Sequence, residues 1–197
     1  MKQVIQIRCK NNKKSQKVEI GSTLFDIFSA FDLKMTHGPV SARVNNKVEG
    51  MHYRVYNSKD VEFLDMTSSS GSRAYTRTLF FVLCKAVQDI YPATDVVIDI
   101  PVSNGFYVDI RLGRPVVDED VNIIRRRMQE IIDARMPIRR FTVPTEEAVA
   151  LFQEKGDVEK VKLLKTSGSI YTTYYKIGDY VDYYYGTLLT NTSQLYL

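Results

Sequence analysis

The side chains able to do chemistry in this 197-residue chain are few and scattered. The two cysteines, Cys9 and Cys84, lie far apart with no CxxC or Cys/His cluster around them, which suits neither a disulfide framework nor a zinc ribbon. The two histidines, His37 and His52, fall at loop-like positions away from any cysteine or carboxylate set, so they read as isolated surface residues. No GxxxxGK[ST] loop, GxGxxG turn, nucleophile elbow or HExxH helix occurs, which removes sites for ATP hydrolysis, dinucleotide binding, acyl transfer and metalloproteolysis.

Charge and aromatic rings are the remaining resources. Basic residues bunch at Lys10, Lys13, Lys14 and Lys17, and again at Arg125, Arg126, Arg127, Arg135, Arg139 and Arg140. Solvated loop and helix faces explain most such clusters, but Arg126, Arg139 and Arg140 are candidates for nucleic-acid contact. Successive helical residues step by about 100°, so no more than two of Arg125, Arg126 and Arg127 can point one way. Near the end, Tyr171, Tyr174, Tyr175, Tyr180, Tyr183, Tyr184 and Tyr185 could stack on bases. On a strand, however, alternate rings face opposite ways, and filling a core or an interface is the commoner use.

These groups must be carried by two kinds of segment. Val4, Ile5 and Ile7, a polar turn at Asn11 to Lys14, then Val18 and Ile20 make a hairpin. Gly21-Ser22-Thr23 caps a helix whose apolar face is Leu24, Ile27, Phe28 and Phe31. Val40 to Val44, an Asn45-Asn46 turn and Val48 make a second hairpin, and Val61, Phe63 and Met66 suit a closing strand. Two hairpins around one helix predict a β-grasp unit. Thr67-Ser68-Ser69-Ser70-Gly71 cannot bury apolar area and marks a boundary, giving domains 1–67 and 68–197. Beyond it, Leu79, Val82, Leu83, Ala86 and Ile90 space a long helix that Tyr91-Pro92 stops. Val96 to Ile100 and Phe106 to Ile110 read as strands around a Ser103-Asn104-Gly105 turn. Asp118, Glu119 and Asp120 place acid at the start of a helix with Val121, Ile124, Met128, Ile131 and Ile132 inward, ended by Pro137. A further helix begins at Thr145, and strands turn at Gly178-Asp179.

The bulk numbers permit this. A 44% hydrophobic content supports an ordinary core without staples, and a net charge of +4 with pI near 8.9 is only mildly basic. Met1 precedes no signal-length apolar core and no run of about 18 apolar residues occurs, so a cytoplasmic chain with no membrane partner is expected.

Several of these segments resemble known proteins. Gly21-Ser22-Thr23-Leu24, Ala42-Arg43-Val44-Asn45 and Asp60-Val61-Glu62-Phe63-Leu64 resemble the TGS domain, the small β-grasp unit at the N-terminus of threonyl-tRNA synthetases. Ile90-Tyr91-Pro92, Asn104 to Asp109, Glu119-Asp120, Pro137-Ile138, Glu147-Ala148 with Phe152, Lys160-Val161 and Tyr180-Val181-Asp182 resemble the second additional domain of the same enzymes, which edits in bacterial members. The resemblance therefore implies an α+β chain, a TGS-like β-grasp domain followed by a larger α+β domain of the threonyl/alanyl-tRNA synthetase second-additional-domain type.

That family's editing site uses a His-x-x-x-His pair on the long helix and a Cys-x-x-x-His pair after the tyrosine-valine-aspartate segment. Counting from Tyr91-Pro92 and from Asp182, those places hold Arg77, Phe81, Tyr184 and Leu188. Phenyl and isobutyl groups have no lone pair, guanidinium is permanently cationic and a phenol is a poor ligand at neutral pH, so no metal, no cofactor and no editing are expected of this chain. Lys160 and Asp182 do match polar members of the family's pocket. They form either a structural pair or, with Tyr184, a relic pocket.

Three functions follow. Tyr185-Gly186-Thr187-Leu188-Leu189 with Asn191-Thr192-Ser193 resembles the degenerate N-terminal region of bacterial uridine kinase-like nucleoside kinases. This is the leading expectation: a binding or regulatory region whose partner is a downstream P-loop kinase domain of the same polypeptide, where ATP and Mg would act. The apolar ending Leu195-Tyr196-Leu197, read as an exposed strand, suggests a piece of a longer chain. The alternative is a tRNA-binding or trans-editing protein related to threonyl-tRNA synthetase. A third is a structural domain that forms a homo-oligomer through its tyrosine strand.

Overall fold

The computed structural model describes residues 3–35, 37–92, 94–103 and 105–197. The chain divides into two compact units, residues 1–136 with 187–197, and residues 137–186.

The first unit opens with β1 (Val4–Cys9), β2 (Ser15–Glu19), α1 (Leu24–Ala30), β3 (Ser41–Val44), β4 (Lys47–Gly50) and β5 (Lys59–Leu64). They form one sheet in the order β2-β1-β5-β3-β4, in which β1 and β5 run parallel and the other neighbours antiparallel. Period-two alternation sends Ile7, Cys9, Val61, Phe63, Ala42 and Val44 to one face, where Leu24 and Ile27 of α1 cover them. Phe28 adds an edge-to-face contact with Phe63 at 5.1 Å. Thr23 starts α1 as the sequence predicts: its hydroxyl accepts from the Asp26 amide at 3.2 Å, while the Asp26 carboxylate accepts from the Thr23 amide at 2.8 Å. This is the expected β-grasp unit, except that the closing strand stops at Leu64 and leaves Met66 outside it.

The serine run leads directly into a helix. α2 spans Ser69–Ile90, and the Ser68 hydroxyl caps it by accepting from the Gly71 amide at 3.1 Å. A Cβ at Gly71 would collide with the Asp65 carbonyl, so only glycine allows this close approach. β6 (Val96–Val102) and β7 (Gly105–Ile110) form an antiparallel two-stranded hairpin with an irregularity between Ile98 and Pro101. Asn104 of its expected turn lies outside the described residues. α3 (Asp118–Asp133) turns Ile124, Met128, Ile131 and Ile132 inward as its spacing predicts, while Val121 is exposed. Asp89 of α2 holds α3 by binding Arg127 at 2.9 Å, while also binding Lys85 of its own helix at 2.9 Å.

The last eleven residues are not an exposed strand. Leu188, Leu189 and Leu195 are buried, and a 3-10 turn, Thr192–Gln194, is anchored through Thr192. The buried Thr192 hydroxyl donates to the Ile131 carbonyl at 2.9 Å and accepts from the Met136 amide at 2.8 Å. The Thr192 amide donates in turn to the Met136 carbonyl at 3.0 Å. Gln194 reaches the Pro39 carbonyl, and the Tyr75 hydroxyl bonds the Tyr196 backbone twice.

The second unit is a three-stranded sheet, order β10-β9-β8, with two helices: β8 (Arg139–Pro144), α4 (Thr145–Glu154), α5 (Val158–Thr166), β9 (Tyr171–Ile177) and β10 (Tyr180–Tyr183). Its core joins Ala148, Val149, Phe152 and Leu164 to Val143, Val161, Tyr174 and Tyr183. Sequence periodicity supplies α4 and the β9-β10 turn but misses β8 and α5. Strand β8 is short and starts with two arginines. The signal for α5 was present in Gly156, left-handed at φ 75° after α4, and in Asp157, whose carboxylate caps α5 by accepting from the Lys160 amide at 2.9 Å.

Candidate functional site

Three of the four places where the resemblance puts editing ligands belong to the first unit, and all three are used for packing. Phe81 is fully buried on α2, one helical turn beyond Arg77, and Leu188 is buried in the C-terminal segment. The Arg77 guanidinium donates through Nε to the Thr187 carbonyl at 3.2 Å. The neighbouring Thr78 hydroxyl donates to the Ala74 carbonyl at 2.7 Å and accepts from the Leu189 amide at 2.8 Å. The C-terminal segment is therefore stitched to α2 through its backbone at Thr187 and Leu189. Among the described residues no group of three or more His, Cys, Asp or Glu side chains is placed to hold a metal ion.

In the second unit the structure brings Lys160 and Asp182 together. The Lys160 ammonium lies 2.7 Å from Asp182 and 2.8 Å from Asp157, and 5.8 Å from the centre of the Phe152 ring. Asp182, almost fully buried, also accepts from the Tyr180 hydroxyl at 2.8 Å and from the Tyr183 amide at 2.6 Å. Burial by itself would lower the Lys160 pKa, but the charge of Asp182 and the bonds to Asp157 and Asp182 outweigh it and hold the ammonium above its ordinary value. A lysine whose proton is held this firmly between two carboxylates is a poor proton donor or acceptor at neutral pH. Tyr184, two residues past Asp182, is half-buried.

Only the adjacent Tyr174 and Tyr175 of β9 are divided by strand alternation. Tyr175 is buried and its hydroxyl donates to the Gly186 carbonyl at 2.8 Å. Tyr174 stacks on Phe141 at 5.2 Å, and burial pushes its phenol pKa up. Tyr171 and Tyr185 are exposed.

The basic candidates separate too. Arg126 is exposed on α3, whereas Arg127 beside it is held by Asp89 and Glu130. Arg139 and Arg140 are exposed on the outer strand β8, and, being adjacent, point to opposite faces of the sheet. Arg139 pairs in register with Lys176, a like-charge neighbour across the ladder that costs stability unless an anion lies nearby. Sequence reasoning missed the most constrained ionic group. Asp120, read as a helix-start charge, is a buried hub that binds Arg114, the Tyr91 hydroxyl and the Val117 amide. Arg114 and Tyr91, both in view in the sequence, carry no spacing that reveals the pairing.

The fold is α+β, with a β-grasp unit at its start, and fits the TGS and editing-like domain type. No protein-family profile matches the chain. It is 30% identical over 193 residues to a threonine–tRNA ligase of Clostridium kluyveri, covering 97% of this chain and 30% of that protein. It is 28% identical over 176 residues to the threonine–tRNA ligase of Acetivibrio thermocellus, covering 89% and 28%, and 28% identical over 181 residues to that of Clostridioides difficile, covering 91% and 28%. The chain is thus related to a segment of threonyl-tRNA synthetases and spans less than a third of the length of these relatives. That relation favours the tRNA-related reading over the kinase-associated one. Among the described residues, no helix is long and apolar enough to cross a membrane.

Proposed function

We propose that this chain is a tRNA-contacting region of a threonyl-tRNA synthetase-related protein that lacks the hydrolytic step of an editing site. The observation that carries the reading is the conversion of Arg77, Phe81 and Leu188 into packing and backbone anchoring, in a chain otherwise alignable with threonine–tRNA ligases along nearly all its length. Binding survives such a change because it needs cations and shape; hydrolysis does not, because it needs donors that ligate a cation or move protons near neutral pH. Under this reading residues 1–67 and 68–197 act as the two domains, and no cofactor is used. Arg126, Arg139 and Arg140 contact RNA phosphates, and Lys160 with Asp182 and Tyr184 shapes the relic pocket.

Two measurements test it. Affinity for tRNA should fall linearly in log-log form as salt rises, and Arg126→Gln or Arg139→Gln should each lessen that slope by about one. Mischarged threonine tRNA should be deacylated no faster with the protein than without it. Absence of any salt-sensitive tRNA shift at low ionic strength would remove the reading.

The nucleoside kinase reading rests on Tyr185 to Leu189 with Asn191 to Ser193, and on the degenerate editing positions. It requires a phosphate-binding loop encoded downstream of Leu197 and phosphorylation of uridine by the whole polypeptide with ATP and Mg. A synthetase core in that place would exclude it.

A further inference from the structure

The charge of this molecule is unevenly placed, and the fold concentrates the imbalance. Residues 1–67 hold eleven Lys and Arg against seven Asp and Glu, the whole of the +4 excess, and the first 18 residues contain no acid at all. Lys10, Lys13, Lys14 and Lys17 are exposed on the β1-β2 hairpin, three of them at its tip. None makes an ion pair among the described residues. Other cations do find carboxylates, among them Arg43 with Glu62, Arg114 with Asp120, Arg127 with Asp89, and Lys160 with Asp182.

The tip is also held rigid. The Asn11 side chain is fastened to β5 in both directions, donating to the Phe63 carbonyl at 2.9 Å and accepting from the Phe63 amide at 2.7 Å. The Lys10 amide donates to the Val61 carbonyl and the Cys9 amide to the Lys14 carbonyl, both at 2.8 Å, and the Lys14 amide donates to the Asn12 side chain at 3.1 Å. Lys13 sits at φ 60°, in the left-handed region where glycine or asparagine is the ordinary occupant. The turn thus holds a side chain at a backbone position that costs free energy, with its ammonium exposed.

We propose that the β1-β2 hairpin tip, through Lys10, Lys13 and Lys14 with Lys17 beside them, is a docking surface for the phosphate backbone of a structured RNA. Lysine ammoniums are point-charge partners for phosphate oxygens, and a rigid turn presents them without the ordering cost of a flexible tail. Every residue from Lys10 to Lys17 is polar, so the tip has no apolar side chain to insert into a lipid surface. The choice of RNA rests on the tRNA-contacting reading above, but the surface is distinct from Arg126, Arg139 and Arg140, on which that reading places contact.

The experiment is fluorescence anisotropy of a labelled threonine tRNA with the 197-residue chain across a salt series, using three variants. The triple variant Lys10→Gln, Lys13→Gln, Lys14→Gln should weaken binding by about tenfold near 0.1 M salt and lessen the salt slope by about two, with Tm unchanged or raised. Lys13→Gly should lessen the slope by about one while raising Tm, a combination that a structural role for Lys13 does not produce. If the wild-type chain binds tRNA and Arg139→Gln, Arg140→Gln weakens it but the triple variant does not, the hairpin surface is wrong and the tRNA reading stands. If the wild-type chain binds no tRNA, both fall. If it binds phosphatidylserine vesicles through these lysines and not tRNA, the surface is a lipid contact and the proposal is overturned.

Discussion

The Arg114 guanidinium grips the Asp120 carboxylate with two bonds of 2.7 Å, one to each oxygen. The carboxylate also accepts from the Tyr91 hydroxyl at 2.6 Å and the Val117 amide at 3.0 Å. Three stretches converge on one buried acid: the residue that ends α2, the segment ahead of α3, and the first turn of α3 itself. The bonds from Arg114, then from Tyr91 and Val117, hold the Asp120 pKa far below the usual carboxylate range, and the same contact raises Tyr91.

Asp120→Asn should therefore lower the midpoint of thermal unfolding by more than about 5 °C, since the guanidinium loses its counter-charge and the amide cannot accept from all three donors. Because a depressed folded pKa contributes stability only while the unfolded carboxyl is ionised, the contribution is whole above about pH 4 and drains away on further acidification. Urea unfolding of both proteins between pH 6 and pH 3 checks this. The gap between wild type and variant should narrow only toward the acid end.

Lys160→Met should cost about 2 kcal/mol, because Asp182 keeps its bonds to Tyr180 and Tyr183 but loses its cation. The Lys160 pKa is raised, so its contribution is present below the ordinary lysine value and shrinks as pH climbs through the folded one. Denaturant titrations at pH 7 and above pH 10.5 should show the wild-type advantage shrinking at the higher pH.

Thr192→Val removes a hydroxyl that serves the Ile131 carbonyl and the Met136 amide in a site without water access. The expected loss is about 1–3 kcal/mol, with hydrogen exchange rising first at the Met136 amide. Unchanged exchange there would show that the C-terminal segment is not held through Thr192.

Phe81→Ala should destabilise by about 3–5 kcal/mol, measured by denaturant unfolding, as expected for a fully buried ring rather than for an idle relic of a ligand position. Phe81→His should also destabilise, since an imidazole placed there enters an apolar interior, and should create no zinc stoichiometry by metal analysis.

What reached the surface of the sequence was periodic or local. The apolar residues of β1, β3 and β5, the Thr23 cap and the three-to-four spacing of α3 each concern residues a few positions apart, and each element is found where it was expected, save that Met66 falls outside β5 and Val121 is exposed on α3. The chemical poverty of Arg77, Phe81, Tyr184 and Leu188 was equally plain, because side-chain type alone decides whether a lone pair is available. Strand β8 was not legible: its six residues carry two arginines and a proline, and it becomes a strand only by pairing with β9.

The amino-acid order by itself determined most of the helical and extended segments, β8 and α5 excepted, and which functional group each position offers, since both follow from near-neighbour spacing and residue type. Partner choice belonged to the tertiary structure. Thr192 and Asn11 look in sequence like any solvated polar residue, and only folding decides that each faces a backbone far along the chain, as it decides that Asp120 receives the Tyr91 hydroxyl. The reason is energetic: a buried polar group must find its complement wherever the packed chain places one, because leaving it unpaired costs more than any local preference contributes.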